Sequence, residues 1–390
     1  METEKLLAKV GPVMRSAGLD GWLLYDFRGT NPFARRVLGL EAEGLLTRRW
    51  FAWLPASGEP RLLVHGIEAE NISILWPTLT YESRELLECG LGQLLDGARK
   101  VAMEFSPKGN NPYLSRVDAG TVDLIRSLGV EVVSSGDLLQ TFLIWSEAQA
   151  EGHRQAAQAL ARAKDAALGF IRTHLERGSD VLEHEVQEHL VIALREEGLI
   201  FSHPPIVAFG GNAAKPHHRP SSQKPKALKR GEVVLLDLWG KLPGPMPYAD
   251  LTWIACWGAP ELEVTNAFAA VVEARDCAVA FMDEALRTGK EVRGWEVDQV
   301  AREVLNAKGY GLFVKHRTGH SLGIEEVHGE AVHLDGFESL DERKLIPGLG
   351  LTVEPGVYPG AFGLRSEIDI LTHPFGVEVT TPLQNAIELL

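Results

Sequence analysis

Apolar residues keep two rhythms along this chain, and the rhythm changes near residue 146. Before that point the β-patterned runs GWLLYDF, RWFAWLP, PRLLVH and KVAMEF alternate with stretches of helical spacing: Leu6 to Ala17, closed by Gly18, then residues near 84–96 and 115–128. Such alternation predicts a small α/β domain over residues 1–145. From Ser146 to Arg177 the chain is rich in Ala, Gln, Glu and Arg, with Leu160, Ala163, Ala167, Phe170 and Ile171 at helical spacing, so one long helix is expected to open a second domain over 146–390. Gly178 stops that helix, Ser179 and Asp180 offer a fresh N-cap, and a second helix follows over 183–197.

A Gly/Pro/Lys-rich stretch, 210–231, leads into EVVLLDLWG and YADLTWIACWG, separated by the turn chemistry of KLPGPMP. Residues 232–258 therefore predict a hairpin with a long turn. GLTVEPGVY, a Gly-rich turn and GLRSEIDILT repeat the plan, with helices expected over 262–288 and 296–308 between the hairpins and a strand over GLFVKHRT, 311–318. The whole reads as an α+β protein of two domains.

Charge removes several function classes. Among 390 residues 53 are acidic and 39 basic, a formal net charge of -14, which opposes binding to phosphate backbones or anionic lipid, so no nucleic acid partner is expected. Cys89, Cys256 and Cys277 lack C-x-x-C spacing, so neither a zinc knuckle nor a disulfide framework is written here. METEKLLAKVGPVMRSAG has no apolar stretch of the secretory kind, and no run of 18 apolar residues occurs, so the expectation is a cytoplasmic protein outside the membrane.

The chemistry concentrates in the two hairpins. Asp237 and Asp250 sit within the apolar strands of the first, Glu354 and Glu367 within the second, 13 residues apart in both. Carboxylates among such neighbours cost several kcal/mol each to desolvate unless something positive meets them. Arg365 alone cannot balance four acids, whereas two divalent cations can, with His320 as a fifth ligand and a bridging water of lowered pKa. Oxygen-rich ligands suit Mn²⁺, Co²⁺ or Zn²⁺. The segment around His320 also contains G-x-S-x-G (Gly319, Ser321, Gly323), the pattern of a serine-hydrolase elbow, with Asp335, Asp341 or Asp369 and His333 or His373 downstream. That reading is disfavoured: the elbow needs a helix straight after the serine, glycines stand at 323 and 329, and the four strand acids would be left unexplained.

The stretches NAAKPHHRP, VVLLDLWG, YADLTWI, HRTGHSLG, PGLGLTVEPGVY and GLRSEIDIL, within residues 212–371, resemble the Xaa-Pro dipeptidases (prolidases), aminopeptidase P and methionine aminopeptidase, which are metallopeptidases of family M24 with the pita-bread fold. The resemblance implies a creatinase-type α/β domain at 1–145 and a pita-bread catalytic domain at 146–390. It makes Asp237 the ligand of one metal, Asp250 and Glu367 bridging carboxylates, and His320 and Glu354 ligands of the other metal, with Mn²⁺ the first choice. A metal-bridging hydroxide would attack the scissile carbonyl, and Glu354 would shuttle the proton to the leaving nitrogen. His217 would steady the tetrahedral intermediate, although His218 fits the spacing equally well. His328 and His316 would contact substrate, and Arg365 would orient a carboxylate. The chain departs from the family pattern in the extra acid of GIEEVH and in lacking an arginine shortly after His328, so Arg343 or Arg365 would have to hold a substrate carboxylate. The expected activity is hydrolysis of Xaa-Pro dipeptides by a homodimer; release of the first residue from Xaa-Pro peptides and two-metal hydrolysis of a non-peptide amide are the alternatives.

Overall fold

Chain packing divides the computed structural model, which describes residues 3–40 and 46–390, into two units, Met1–Leu143 and Ile144–Leu390. In the first, α1 (Thr3–Ser16), β1 (Gly21–Asp26), α2 (Pro32–Leu38), β2 (Trp50–Pro55), β3 (Arg61–His65), β4 (Thr78–Tyr81), α3 (Arg84–Leu94), β5 (Lys100–Met103), α4 (Ala119–Ser127), β6 (Glu131–Ser134) and α5 (Gly136–Gln140) follow in order. The strands form one mixed sheet in the order β4-β3-β2-β1-β5-β6. Alternation along β1 sends Trp22 and Leu24 to the face packed by α1, α2 and α5, and Leu23 and Tyr25 to the face packed by α3 and α4. The short elements α2, β4, β6 and α5 were not apparent in the apolar pattern; β4 buries only Tyr81 fully, too little to leave a period. Glu104 lies fully buried beneath this sheet, accepting from Trp22 Nε1 at 2.6 Å, Asn31 Nδ2 at 2.7 Å and Ser135 Oγ at 2.8 Å, and burial raises its pKa.

The second unit opens with α6 (Glu147–Glu176), capped by a Ser146–Gln149 capping box, and α7 (Glu183–Glu196). The cap expected at Ser179 or Asp180 is not used. The chain runs extended through Leu182, which bridges Ala227, and α7 begins at Glu183, whose buried carboxylate accepts from the Phe209 amide at 2.7 Å. Then come β7 (Ile206–Phe209), β8 (Val233–Gly240), β9 (Ala249–Cys256), α8 (Leu262–Thr288), α9 (Gly294–Ala307), β10 (Gly350–Val353), β11 (Gly356–Val357), β12 (Leu364–Arg365), β13 (Ile368–His373), β14 (Gly376–Val379) and β15 (Glu388–Leu389). They form sheets ordered β15-β9-β8-β7, β10-β13-β14 and β11-β12.

One core sets the geometry of the site. Val234, Leu236 and Leu238 of β8 and Leu251 of β9 pack on Leu160, Ala163, Ala167 and Ile171 of α6 and on Val186, Leu190 and Leu194 of α7. Each of the Val, Leu and Ile side chains contributes about 1.5–3 kcal/mol by leaving water, so the register of the hairpin is firmly held. Strand alternation then turns Asp237, Asp250 and Thr252 to the opposite face. The strand expected over GLFVKHRT does not form. Gly311–Phe313 makes a 3-10 turn and the chain continues irregularly, because His316 Nδ1 donates to the Arg317 carbonyl at 2.7 Å and bends it. His320 is instead held by single bridges on either side, Gly319 to Leu334 and Ser321 to Leu351. Among the described residues no helix is long and apolar enough to cross a membrane.

An ion pair joins α6 to β14: Arg154 Nε and Nη2 donate to Glu378 at 2.7 and 2.8 Å. The guanidinium hydrogen bond holds the Glu378 pKa down at about 2. A depressed carboxylate stabilises above its unfolded value and loses that contribution as pH falls toward the folded one. With both side chains about a third exposed, Glu378→Gln is expected to cost roughly 1 kcal/mol or less at neutral pH and nothing near pH 2, which denaturant titrations across that range will read.

Candidate metal centre

Both hairpins aim their acids at one point. Asp237 and Asp250 belong to adjacent strands, Asp237 opposite Thr252 and Asp250 opposite Trp239. Glu354 immediately follows β10, and Glu367 sits between β12 and β13. All four are buried, as are His320 and Arg365. His320 Nε2 stands 3.7 Å from Asp250 Oδ2 and 3.5 Å from Glu354 Oε1. Ligand atoms of Asp250, His320 and Glu367 all lie within 4.8 Å of one another. Arg365 contacts Asp237 and lies 3.4 Å from Glu367 and 3.8 Å from Glu354, so a single guanidinium is spread over three acids.

Local backbone makes the arrangement possible. A Cβ at Gly319 would lie 2.1 Å from the Thr352 carbonyl oxygen, so only glycine lets the His320 segment approach β10 this closely. His320 Nδ1 donates to the Ser321 carbonyl at 2.9 Å, which leaves the Nε2 lone pair facing the acids, the tautomer a metal ligand needs. Thr352 Oγ1 accepts from the His320 amide at 3.0 Å, and Thr252 Oγ1 accepts from Arg365 Nε at 2.8 Å while donating to Glu367. Asp369 Oδ2 accepts from the Asp250 amide at 2.8 Å. From α8, the fully buried Arg275 donates to Ser366 Oγ and to the Gln384 carbonyl, both at 2.8 Å, and the Gln384 side chain accepts from the Ile254 amide at 2.9 Å. One arginine thus ties the Arg365–Glu367 segment to β9.

Electrostatics shows what this donor set lacks. Burial, then repulsion from Glu367 and Asp237, raises Asp250 well above the ordinary carboxylate range; burial and Glu354 do the same to Glu367. Burial lifts Glu354 to about 7 despite Arg365. His320 is lowered, by burial and by His328, and so stays neutral. Carboxylates that would rather hold protons beside a neutral imidazole are short of positive charge, and hard divalent cations match such oxygen and nitrogen donors.

The other expected residues divide into two groups. His328 packs its ring against His320 at a tilt of 43°, centroids 4.0 Å apart, reaches solvent, and is lowered to about 4 by its crowded surroundings and by Arg317, whose Nη2 lies 3.3 Å from its Nδ1. His316 accepts from the Tyr358 hydroxyl at 2.7 Å and is lowered to about 3, by burial and then Arg365. His217 is exposed and near enough to both to act on their titration, whereas His218 is bound to Glu183 at 2.9 Å, so His217 is the one the fold leaves available. Arg343 is not at the cluster's disposal. Its buried guanidinium donates through Nε and Nη2 to Asp341 at 2.9 and 2.6 Å and through Nη1 to the Glu330 carbonyl at 2.6 Å, which corrects its expected place against substrate. Ser321 is no elbow nucleophile: it is buried, its hydroxyl donates to the Ala331 carbonyl at 3.2 Å, and it bridges Leu351 rather than opening a helix. Pattern reading missed Arg317, Thr252, Arg275 and Tyr358. Only Thr252 carried a signal, a β-branched hydroxyl two positions from Asp250 and hence on its face.

An α+β scaffold that gathers hard oxygen donors and one oriented imidazole around a cation site is that of a metal-dependent hydrolase. The model of metallopeptidase family M24 matches residues 151–374. An uncharacterized peptidase of Staphylococcus haemolyticus is 31% identical over 288 residues, 71% of this chain and 75% of that protein. Among solved structures, dipeptidase PepE from Mycobacterium ulcerans superposes with TM-score 0.67 at 24% identity, over 100% of this chain and 99% of its own. Xaa-Pro dipeptidase from Bacillus anthracis gives 0.59 at 23% over the whole of both chains, and X-Pro aminopeptidase from Thermotoga maritima 0.56 at 24% over 97% of this chain and 100% of its own. The chain belongs to metallopeptidase family M24, a family of metal-dependent peptidases with the pita-bread fold.

Acids with raised pKa values hold protons when no cation is bound and release them when one arrives. Mn²⁺ binding is therefore expected to expel protons near neutral pH and to tighten as pH rises through about 7, where Glu354 ionises. The cation-free protein should respond in the opposite sense: a carboxyl raised above its unfolded value favours the fold below that value, so stability falls as pH climbs from about 4.5 toward 7. Calorimetry in buffers of different ionisation enthalpy measures the proton release; a buffer-independent heat would contradict it.

Proposed function

We propose that this protein is an Xaa-Pro dipeptidase working with two divalent cations, Mn²⁺ foremost, held by Asp237, Asp250, His320, Glu354 and Glu367. The observation that carries the proposal is the convergence of these buried donors around Arg365, with neutral histidines along one side. Bound cations would polarise the scissile carbonyl and acidify a water. Glu354, 3.5 Å from His320 at the edge of the cluster, takes the proton of the attacking water and passes it to the imide nitrogen. His217 and His328 donate to the oxygen on which negative charge develops, and His316 fixes the Tyr358 hydroxyl beneath them. Arg365 keeps Asp237 and Glu367 in register.

An imide bond to proline has no N–H, so the site need not offer an acceptor to that nitrogen. The dipeptidase reading is favoured by the buried positive charge of Arg317, whose Nη1 lies 3.9 Å from Asp335, behind the neutral His328; it favours a substrate carboxylate on that side. Solved relatives named as dipeptidases also extend over the whole chain. The exposure of His217 and His328 favours the second reading, cleavage of longer Xaa-Pro peptides, because it leaves the site open to solvent there. Assembly as a homodimer and residence in the cytoplasm belong to the same proposal.

Metal-analysed protein offered Xaa-Pro, Xaa-Pro-Yaa and Xaa-Ala side by side is expected to cleave Xaa-Pro fastest; preference for the tripeptide would transfer the assignment to an aminopeptidase. Glu354→Gln should retain the fold and lower kcat by roughly 10²–10⁴, the range of positioned acid–base catalysis, and an unchanged kcat would remove Glu354 from the mechanism. Ser321→Ala removes one buried hydrogen bond, costs about 1 kcal/mol of stability and leaves kcat near wild type. Its inactivation with metals intact would restore the serine mechanism.

A further inference from the structure

The sheet face that carries the acids holds one more large side chain. On β8, Val234, Leu236 and Leu238 belong to the core against α6 and α7, so Asp237 and Trp239 point the other way. Trp239 is paired across the hairpin with Asp250, and residues directly opposite in an antiparallel pair share a face with Cβ atoms about 5 Å apart. Asp237 lies two residues back along the same strand. The indole therefore stands beside both acids of the hairpin.

Packing does not account for a tryptophan there. The residue is half-buried, belongs neither to the core beneath the hairpin nor to the apolar residues packed around it, and its Nε1–H, though shielded from water, meets no acceptor among the described residues. A shielded indole N–H usually has an acceptor, and an apolar residue without a polar atom would avoid the cost of leaving this one unpaired. Beyond Trp239 the turn is tied to the segment following His320: the Tyr248 amide donates to the Gly323 carbonyl at 2.9 Å, and Lys241 Nζ donates to the Ile324 carbonyl. The strand that carries Trp239 thus runs from the acids toward the loop that ends in the exposed His328.

The geometry points to Trp239 as the wall against which the first residue of the substrate packs, and so as the residue that decides which side chains are accepted there. This rests on the peptidase reading and adds to it the selection of the residue before the scissile bond. Charge assigns the side. Asp237 and Asp250 form the acidic end of the site, and the amino terminus is the group of a dipeptide that matches it. His328 and Arg317 stand on the side of His320, suited to the carbonyl and the carboxylate. An amino group drawn to the acids lays the first side chain across the indole. The ring is large, so small side chains fit and large apolar ones are crowded.

Steady-state kcat/KM values for Gly-Pro, Ala-Pro, Leu-Pro and Phe-Pro with wild type, Trp239→Phe and Trp239→Ala, each analysed for metal, test the assignment. Wild type is expected to favour the small first residues. Trp239→Ala should raise the Leu-Pro to Gly-Pro ratio at least about tenfold, within the range that one or two methylene groups give in an apolar pocket, and Trp239→Phe should shift it less. A ratio in Trp239→Ala within twofold of wild type, at equal metal content, overturns the proposal. Trp239→Leu supplies the same ratio if the alanine variant does not fold. Failure of the imide-bond reading is separable from failure here: if no Xaa-Pro dipeptide is cleaved, the preference is read from the affinities of metal-loaded protein for free glycine and leucine by calorimetry. An unchanged preference there overturns the role of Trp239 whatever bond the enzyme cuts.

Discussion

Four buried carboxylates converge on the guanidinium of Arg365, and the rest of the larger unit is arranged around that imbalance. Desolvating each acid is unfavourable by several kcal/mol, and Arg365 offsets only part of it. Structures tolerate such deficits where a ligand removes them. Here the deficit is enclosed by strands whose other face is a packed apolar core, so the acids cannot relax apart without uncoupling β8 and β9 from α6 and α7.

Precision at the centre comes from backbone as much as from side chains. The His320 segment lies against β10 because Gly319 has no Cβ, and the imidazole is aimed by the carbonyl of the next residue rather than by a distant partner. Arg275 reaches from α8 to Ser366 and to the Gln384 carbonyl, so the position of Glu367 depends on a residue far from it in sequence. Ligands held by their own neighbours need little reorganisation to receive a cation, which is the sense in which such sites are prepared by folding.

The parts written in periodic patterns could be read from sequence. The long helix from Ser146, the two matched hairpins and the equal spacing of their acids each follow from local rules, and the four acids and His320 do meet in space. What could not be read depended on tertiary partners. GLFVKHRT has strand composition but no ladder to join, so it turns instead. Nothing in HH distinguishes His217 from His218 until Glu183 claims one of them. Arg343 looked available until Asp341, two residues before it, was seen to occupy its guanidinium. In the sequence Trp239 reads like any apolar strand residue, and only the register with Asp250 and the alternation of the core show which way it faces.

The two units resolve the same problem of an enclosed acid by different means. Beneath the smaller sheet Glu104 is surrounded by an indole, an amide and a hydroxyl, all uncharged, and its raised pKa favours the neutral acid. The larger unit relies on full charges. A chelator therefore acts at the acid cluster of the larger unit and leaves the Glu104 network, built of uncharged donors, as it is.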